Sequence, residues 1–257
     1  MTVSLQQRME AHQVCVVVPT YNNQKTLTEV LDGILQYTSS VVVVNDGSTD
    51  DTAKILDRYS DRIHIVSYMP NHGKGYALKK GFNIAEGLGY KNAITIDSDG
   101  QHLPAEIVCF VDCALKFPGT LLMGQRVAAG NMPGKNSFAN KFSNFWFAVQ
   151  TGNRLKDTQN GFRLYPLATM KGLRPLTTRY EAELEMLVRA AWKGIRIVPV
   201  AIHVYYPSGN ERVTHFRPTM DFLRISLLNS CLTILAAVYG YPMMGFLALR
   251  KKLLAFR

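Results

Sequence analysis

The chain has 257 residues, 47% hydrophobic and 19% charged, enough to bury one sizeable core and unlike a disordered segment. Its formal net charge of +10 suits phosphate-bearing partners, whether nucleic acid, nucleotides or an anionic membrane face. Cys15, Cys109, Cys113 and Cys231 stand in apolar contexts without Cys or His pairs at zinc spacing, which excludes a disulfide framework and reads as buried thiols in a reducing compartment.

The opening MTVSLQQRMEAHQ is polar and lacks an apolar signal core, so the amino terminus is expected in the cytoplasm. Residues 14–18 read as a buried strand, and 26–36 as a helix with Leu27, Val30, Leu31, Ile34 and Leu35 on its apolar side. Residues 41–44 form a second strand, followed by a helix starting near Ser48, with Ser48 or Thr49 as its cap and Asp50 and Asp51 in its first turn. Strands at 63–67 and 93–96 flank a helix over 75–87, and a further helix runs from Pro104 to Lys116. Short strands that are apolar on both faces and separated by helices predict a parallel sheet covered on both sides, a doubly wound α/β domain. Beyond it come strands at 121–124, 162–165 and 196–205 and helices at 137–149 and 180–193.

Residues 225–249 carry no charge and are long enough to span a bilayer. Gly240-Tyr241-Pro242 in their middle predicts a break or kink. Basic residues flank both ends: Arg212, Arg217 and Arg224 before, Arg250, Lys251, Lys252 and Arg257 after. Cations prefer the cytoplasmic side, so a hairpin with both ends inside is expected rather than a crossing. Ser226, Asn229, Ser230 and Thr233 share a helical stripe, as in a helix lying in the membrane interface. The division is therefore 1–217, one catalytic domain, and 218–257, a membrane-associating segment at the cytoplasmic face, peripheral or monotopic. A buried core helix or a dimer contact is the competing reading.

Ligands of open parallel sheets sit at the carboxyl ends of the strands. The segments there are Pro19-Thr20-Tyr21-Asn22-Asn23, Asn45-Asp46-Gly47-Ser48, Asn71-His72-Gly73-Lys74-Gly75 and Asp97-Ser98-Asp99-Gly100-Gln101-His102, all polar and turn-forming. Asp97 and Asp99 directly follow an apolar strand, and two crowded carboxylates are relieved by a divalent ion, with Gln101 as a neutral third oxygen. Loop aspartates capping the next helix are the plainer alternative. Asp46 is placed to accept hydrogen bonds from a base or ribose. Gly73-Lys74-Gly75 can bring backbone N–H groups and an ammonium near phosphate. Neither a P-loop nor a G-x-G-x-x-G fingerprint is present, which removes the dehydrogenase reading, and no nucleic-acid-binding motif accompanies the positive charge.

PTYNN, VVNDGSTDDT, NHGKGYALKKG, DSDGQH and DTQNGFRLYP, in this order, resemble the inverting family 2 glycosyltransferases, in particular the dolichyl-phosphate mannose synthase and polyprenyl-phosphate sugar transferase branch. The likeness covers about residues 14–206. It implies the nucleotide-sugar-binding glycosyltransferase A-type fold and a nucleotide pocket from Pro19, Tyr21, Asn22 and Asp46. It also implies Mg²⁺ or Mn²⁺ on Asp97, Asp99 and Gln101, with Arg126 and Arg163 facing donor and acceptor phosphates. Asp157 is the alternative, purely structural partner of Arg163. Asn23 and the segment 206–216 depart from that branch, so donor and acceptor stay open here; within that segment Arg212 or His215 is the candidate to close over the diphosphate. A lipid-phosphate acceptor is already anionic and needs no general base. A hydroxyl acceptor needs one, and Glu183 is the candidate.

Overall fold

The computed structural model describes residues 3–127, 134–173, 175–205 and 218–255. Among them seven strands form one sheet: β1 Val14–Thr20, β2 Val41–Asp46, β3 His64–Tyr68, β4 Asn92–Thr95, β5 Leu121–Arg126, β6 Arg163–Pro166 and β7 Ile197–Ile202. Their order is β3-β2-β1-β4-β6-β5-β7. All neighbours pair in parallel except β6, which runs antiparallel to both β4 and β5. The expected doubly wound sheet is present, with one reversed strand that sequence patterning did not foresee.

Alternation within strands divides the core. Val14, Val16 and Val18 of β1 face a cluster with Met9, Leu27, Leu31 and Phe110, whereas Cys15 and Val17 face Leu78, Phe147, Leu187 and Trp192. Helices α1 (Leu5–Ala11), α2 (Leu27–Leu35), α3 (Thr52–Asp57) and α5 (Ile107–Lys116) supply the first face. Helices α4 (Lys74–Gly87), α6 (Gly134–Thr151), the short α7 (Leu167–Met170), α8 (Glu181–Trp192) and α9 (Pro218–Leu235) supply the second. In α2 the buried Leu27, Val30, Leu31 and Ile34 recur at three- and four-residue spacing, which aligns them on one stripe.

Several local expectations differ. Helix α1 is opened by a capping box between Ser4 and Gln7 within the polar amino-terminal stretch. Helix α3 begins at Thr52, later than expected, because Asp50 Oδ1 accepts the Thr52 N–H while Ser48 and Thr49 are drawn to Asn22 in the next loop. Cys15 is buried and its thiol is pushed up to about 12 by desolvation, but Cys109 and Cys231 are exposed rather than buried.

The carboxyl-terminal segment does not turn back on itself. Helix α9 passes through a π-helical turn at Ala236–Gly240 into α10 (Tyr241–Ala255), and the helix over Leu223–Leu254 is continuous for 32 residues. The Tyr241 N–H bonds to the Ala236 carbonyl in the wider π register immediately before Pro242, so the ring enters where the regular ladder has already shifted. The break expected at Gly240-Tyr241-Pro242 and the hairpin expected from the basic flanks are therefore replaced by a single long helix. Of its polar stripe Asn229 turns inward: it is buried, and its carbonyl and Oδ1 both accept from Gln150 Nε2 at 3.1 Å, whereas Ser230 is exposed. Leu228, Leu232 and Ala236 join the second core cluster, while Leu223, Leu227, Ile234, Val238, Phe246, Leu249 and Leu253 are exposed.

Candidate active site

The sheet order reverses between β1 and β4, and the loops at the carboxyl ends of β1, β2 and β4 open there onto one cleft of about 880 Å³. It is lined by Pro19, Thr20, Tyr21, Asn22 and Asn23 after β1, by Asp46, Gly47 and Thr49 after β2, and by Asp97, Ser98 and Asp99 after β4. Met69, Pro70, Asn71, Gly73 and Lys74 close one side, and Arg179, Tyr180, Met220 and Arg224 another. The volume is within the range of about 300–1,000 Å³ typical of ligand sites.

Side-chain hydrogen bonds lace these loops into a fixed rim. Asn22 donates its N–H to Ser48 Oγ at 3.0 Å and accepts the Thr49 N–H at 2.8 Å. Ser98 Oγ donates to the Pro19 carbonyl at 3.1 Å, and Thr26 Oγ1 donates to the Ser98 carbonyl at 2.6 Å. Asp46 is buried and already occupied: it accepts the His72 N–H at 2.9 Å, the Gly73 N–H at 2.7 Å and Asn71 Nδ2 at 2.8 Å. The residue expected to read a ribose or base therefore organises the NHGKG loop with most of its acceptor capacity.

That loop brings Gly73 and Lys74 into the cleft lining, with the lysine held by two carboxylates. Lys74 Nζ lies 2.7 Å from both Asp97 Oδ1 and Glu183 Oε2, with all three side chains largely buried. Burial opposes the lysine charge, but Asp97 and then Glu183 overcome it and hold the ammonium above the usual lysine range. Burial would raise Asp97, yet the Lys74 ammonium and His102 hold it below the usual carboxylate range. Asp99 goes the other way, pushed up by burial and then by the Asp97 charge. Two carboxylates whose environments part in this way are crowded acids facing one space. Among the described residues no group of three or more His, Cys, Asp or Glu gathers as a closed metal cage. Two carboxylates completed by substrate phosphates and water are instead the donor set Mg²⁺ commonly takes.

Gln101 is not in the cleft lining; its backbone N–H donates to Asp99 Oδ1 at 3.0 Å. His102 is buried behind Asp97, accepting its N–H on Nδ1 at 3.3 Å and packing on Phe162.

Neither arginine expected at the phosphates lines the cleft. Arg163 is 1% exposed and donates to the carbonyls of Asn160, Thr158 and Glu183 and to Tyr165 OH, at 2.7, 2.9, 2.7 and 3.3 Å. It ties β6 to α8 as a structural tether, and Asp157 is not its partner. Asp157 instead holds Arg126 in a two-pronged pair at 2.7 and 2.6 Å and accepts the Arg126 N–H at 3.1 Å. Arg212 falls in 206–217, outside the described residues. Arg179, Tyr180, Met220 and Arg224 were not anticipated, since none belongs to a motif.

The model of Glycosyl transferase family 2 matches residues 15–172. The UDP-N-acetylglucosamine–dolichyl-phosphate N-acetylglucosaminyltransferase of Methanococcus voltae is 25% identical over 75% of this chain and 86% of its own length. The polyprenol monophosphomannose synthase of Mycolicibacterium smegmatis is 27% identical over 73% of this chain and 75% of its own. Glucosyl-3-phosphoglycerate synthase from Mycobacterium tuberculosis, solved with Mn²⁺, uridine diphosphate and phosphoglyceric acid, shares the fold: the TM-score is 0.67 at 20% identity, covering 90% of this chain and 80% of that one.

Proposed function

The chain belongs to glycosyl transferase family 2, and from that premise we propose that this glycosyltransferase moves a sugar from a nucleotide-diphosphate sugar onto a polyprenyl phosphate held at a membrane surface. The observation that carries the reading is the placing of Asp97 and Asp99 in one cleft with the PTYNN and NDGS loops, at the point where the sheet order reverses. Relatives that act on dolichyl and polyprenol phosphates support the acceptor class. The apolar exposed side of the long carboxyl-terminal helix supports attachment to a membrane, and the basic residues flanking it favour the cytoplasmic face.

In this reading the nucleotide lies against Pro19, Tyr21 and Asn22, and its diphosphate points toward Asp97 and Asp99. Those two carboxylates would hold Mg²⁺ or Mn²⁺, which when bound neutralises charge on the departing diphosphate. An acceptor phosphate oxygen attacks the anomeric carbon opposite the leaving group. The new carbon–oxygen bond forms as the bond to the diphosphate breaks, and the nucleoside diphosphate leaves with the electron pair. No proton need be removed, because a phosphomonoester is anionic at neutral pH; orientation and charge balance do the rest. Glu183 does not line the cleft, whereas Asp97 does, so the role of base for a hydroxyl acceptor has less support.

Nucleoside diphosphate release from a panel of UDP- and GDP-sugars with Mn²⁺, with and without polyprenyl phosphate, tests the proposal. One donor should be turned over, and polyprenyl phosphate should stimulate release at least tenfold where the free polyprenol does not. Equal stimulation by the alcohol would move the reaction to a hydroxyl acceptor.

A further inference from the structure

We infer that α6 and the long α9–α10 helix form one face that docks on an anionic bilayer, with Phe145 and Trp146 of α6 as interfacial anchors, and that the uncharged segment 225–249 lies along this face instead of crossing; this rests on the membrane attachment proposed above. Packing is what keeps the segment from crossing. Leu228, Leu232 and Ala236 sit in the second core cluster. Gly240 lies so close to Trp192 that a Cβ there would stand 2.5 Å from Nε1, and Leu247 Cδ1 is 3.2 Å from the place of a Cβ on Gly194. From Leu228 to Leu247 the helix runs about 28 Å at about 1.5 Å per residue. That is nearly the hydrocarbon thickness of a bilayer, about 30 Å. A crossing would strip the helix from α6 and α8 along almost the whole of that length.

Helix α6 widens the apolar side. Gln150 Nε2 donates to Asn229 Oδ1 and Thr233 Oγ1 at 3.1 and 3.4 Å, and Tyr241 OH donates to the Val149 carbonyl at 2.6 Å. The stripe through Asn229, Thr233 and Tyr241 therefore faces α6, and the exposed ridge of Leu223, Leu227, Ile234 and Val238 runs beside it. On α6, Phe145 is 59% exposed and Val149 is exposed with it, while Trp146 is half-buried. Trp146 meets Phe142 and Phe145 edge to face, with ring centroids 6.2 and 5.4 Å apart. Asn140 and Asn144 donate through Nδ2 to the Lys156 carbonyl at 3.1 and 2.8 Å, which lays that residue beside the turn of Lys141 and Phe145; both lysines are exposed. Aromatic rings bordered by lysines suit the headgroup region of a bilayer. Residues 134–156 and 225–257 contain eight basic residues and no acidic one, against a net charge of +10 for the whole chain. A face of that sign is drawn to anionic lipid. It also disfavours a second copy as the occupant, because a two-fold contact would set the same cations against one another.

The full chain is floated with sealed vesicles of phosphatidylcholine, alone or mixed with phosphatidylglycerol. Binding to the mixture should be at least tenfold tighter. K141Q/K156Q should lose about tenfold on the mixture and little on phosphatidylcholine alone, and F145Q should lose at least threefold on both. Equal binding to the two kinds of vesicle, or variants that bind as the wild type does, would overturn the docking face. A carboxyl-terminal epitope tag should be removed by protease added to sealed inside-out membranes of the expressing cells; a tag protected until detergent is added would mean that the segment crosses, and would overturn the in-plane placing. A dimer in detergent that F145Q dissociates would assign the face to a second copy instead. With farnesyl phosphate in detergent, nucleoside diphosphate release by the variants should stay within twofold of wild type. A parallel loss there would place these residues in the reaction and remove them from the bilayer contact. Docking as expected by a chain that transfers no sugar would keep the face and sink the transfer reading alone. Should F145Q not fold, K141Q/K156Q decides.

Discussion

Lys74 Nζ lies 2.7 Å from Asp97 Oδ1, so a tethered cation already shares the carboxylate that a divalent ion would need. Glu183 Oε2, equally close, is the place to which the ammonium can retire without losing a partner. Replacing Lys74 by methionine removes the competitor and leaves an electronegative pocket. In the absence of nucleotide, Mn²⁺ should bind K74M about tenfold more tightly, about 1.4 kcal/mol, as read by electron paramagnetic resonance titration. Turnover should nevertheless fall. Unchanged Mn²⁺ affinity would show that ammonium and metal do not contest Asp97.

Gly161, in QNGFR, has a packing rather than a conformational reason to be glycine. An added Cβ would stand 2.7 Å from Asp97 Oδ2 and 2.8 Å from Lys74 Nζ. Thr95 Oγ1 donates to the Gly161 carbonyl at 2.6 Å, so the backbone cannot easily retreat. G161A should therefore push the ion pair apart, with a fall of tenfold or more in kcat and little change in the thermal midpoint. A loss of stability of several degrees with normal kcat would show that the backbone moved and the ion pair did not.

The parts that the sequence made legible are those where one physical rule acts locally. VVVV and AITI carry no charged residue and are apolar but for Thr95, which marks them as buried strands, and the carboxyl-end rule then collected Asp46, Asp97 and Asp99 at one rim. The reversed direction of β6 was hidden because an apolar run carries no sign of which way it points. Arg163 misled because its fate depends on α8 closing over it from twenty residues away, through the Glu183 carbonyl. Arg224 was read as a flank of an apolar segment, and nothing in its neighbours says that α9 packs on the catalytic core. Helix α1 did carry its signal, the Ser4–Gln7 box, but its single fully buried side chain, Met9, gave no stripe to notice.

Glu185 offers a stability test apart from the chemistry. Fully buried, it accepts the N–H groups of Leu176 and Thr177 at 2.9 Å, Thr177 Oγ1 at 2.7 Å and Arg189 Nε at 2.6 Å. Burial works against its charge, but those donors, the Leu176 N–H foremost, hold its carboxyl below the usual glutamate range. A depressed folded-state pKa stabilises above the unfolded value, about 4.3, and that contribution is lost as pH falls through the folded one. E185Q should cost about 2–3 kcal/mol in denaturant unfolding at pH 7, with the gap to wild type narrowing below about pH 4. A gap that stays constant down to pH 3 would show that the carboxylate charge contributes nothing.

Ending the chain at residue 217, the boundary at which a catalytic domain and a membrane segment were expected to part, tests whether the helix is an appendage or a wall. Leu228, Leu232 and Ala236 are buried in the second core cluster, and Gln150, which binds Asn229, also accepts Trp192 Nε1 at 2.8 Å through its carbonyl. Tyr241 OH donates to the Val149 carbonyl at 2.6 Å, so α6 is held along several turns. Removing 218–257 uncovers Trp192, Phe147 and Gln150 together, and burial of each large apolar side chain contributes about 1.5–3 kcal/mol. Against a total stability of about 5–15 kcal/mol that loss is severe. The truncated chain should aggregate, or melt at least 10 °C below the full chain, with a cleft that has lost the wall α9 gives it. A soluble 1–217 fragment with the full chain's thermal midpoint and nucleotide affinity would make the helix a detachable anchor, and its packing on α6 and α8 incidental to the fold.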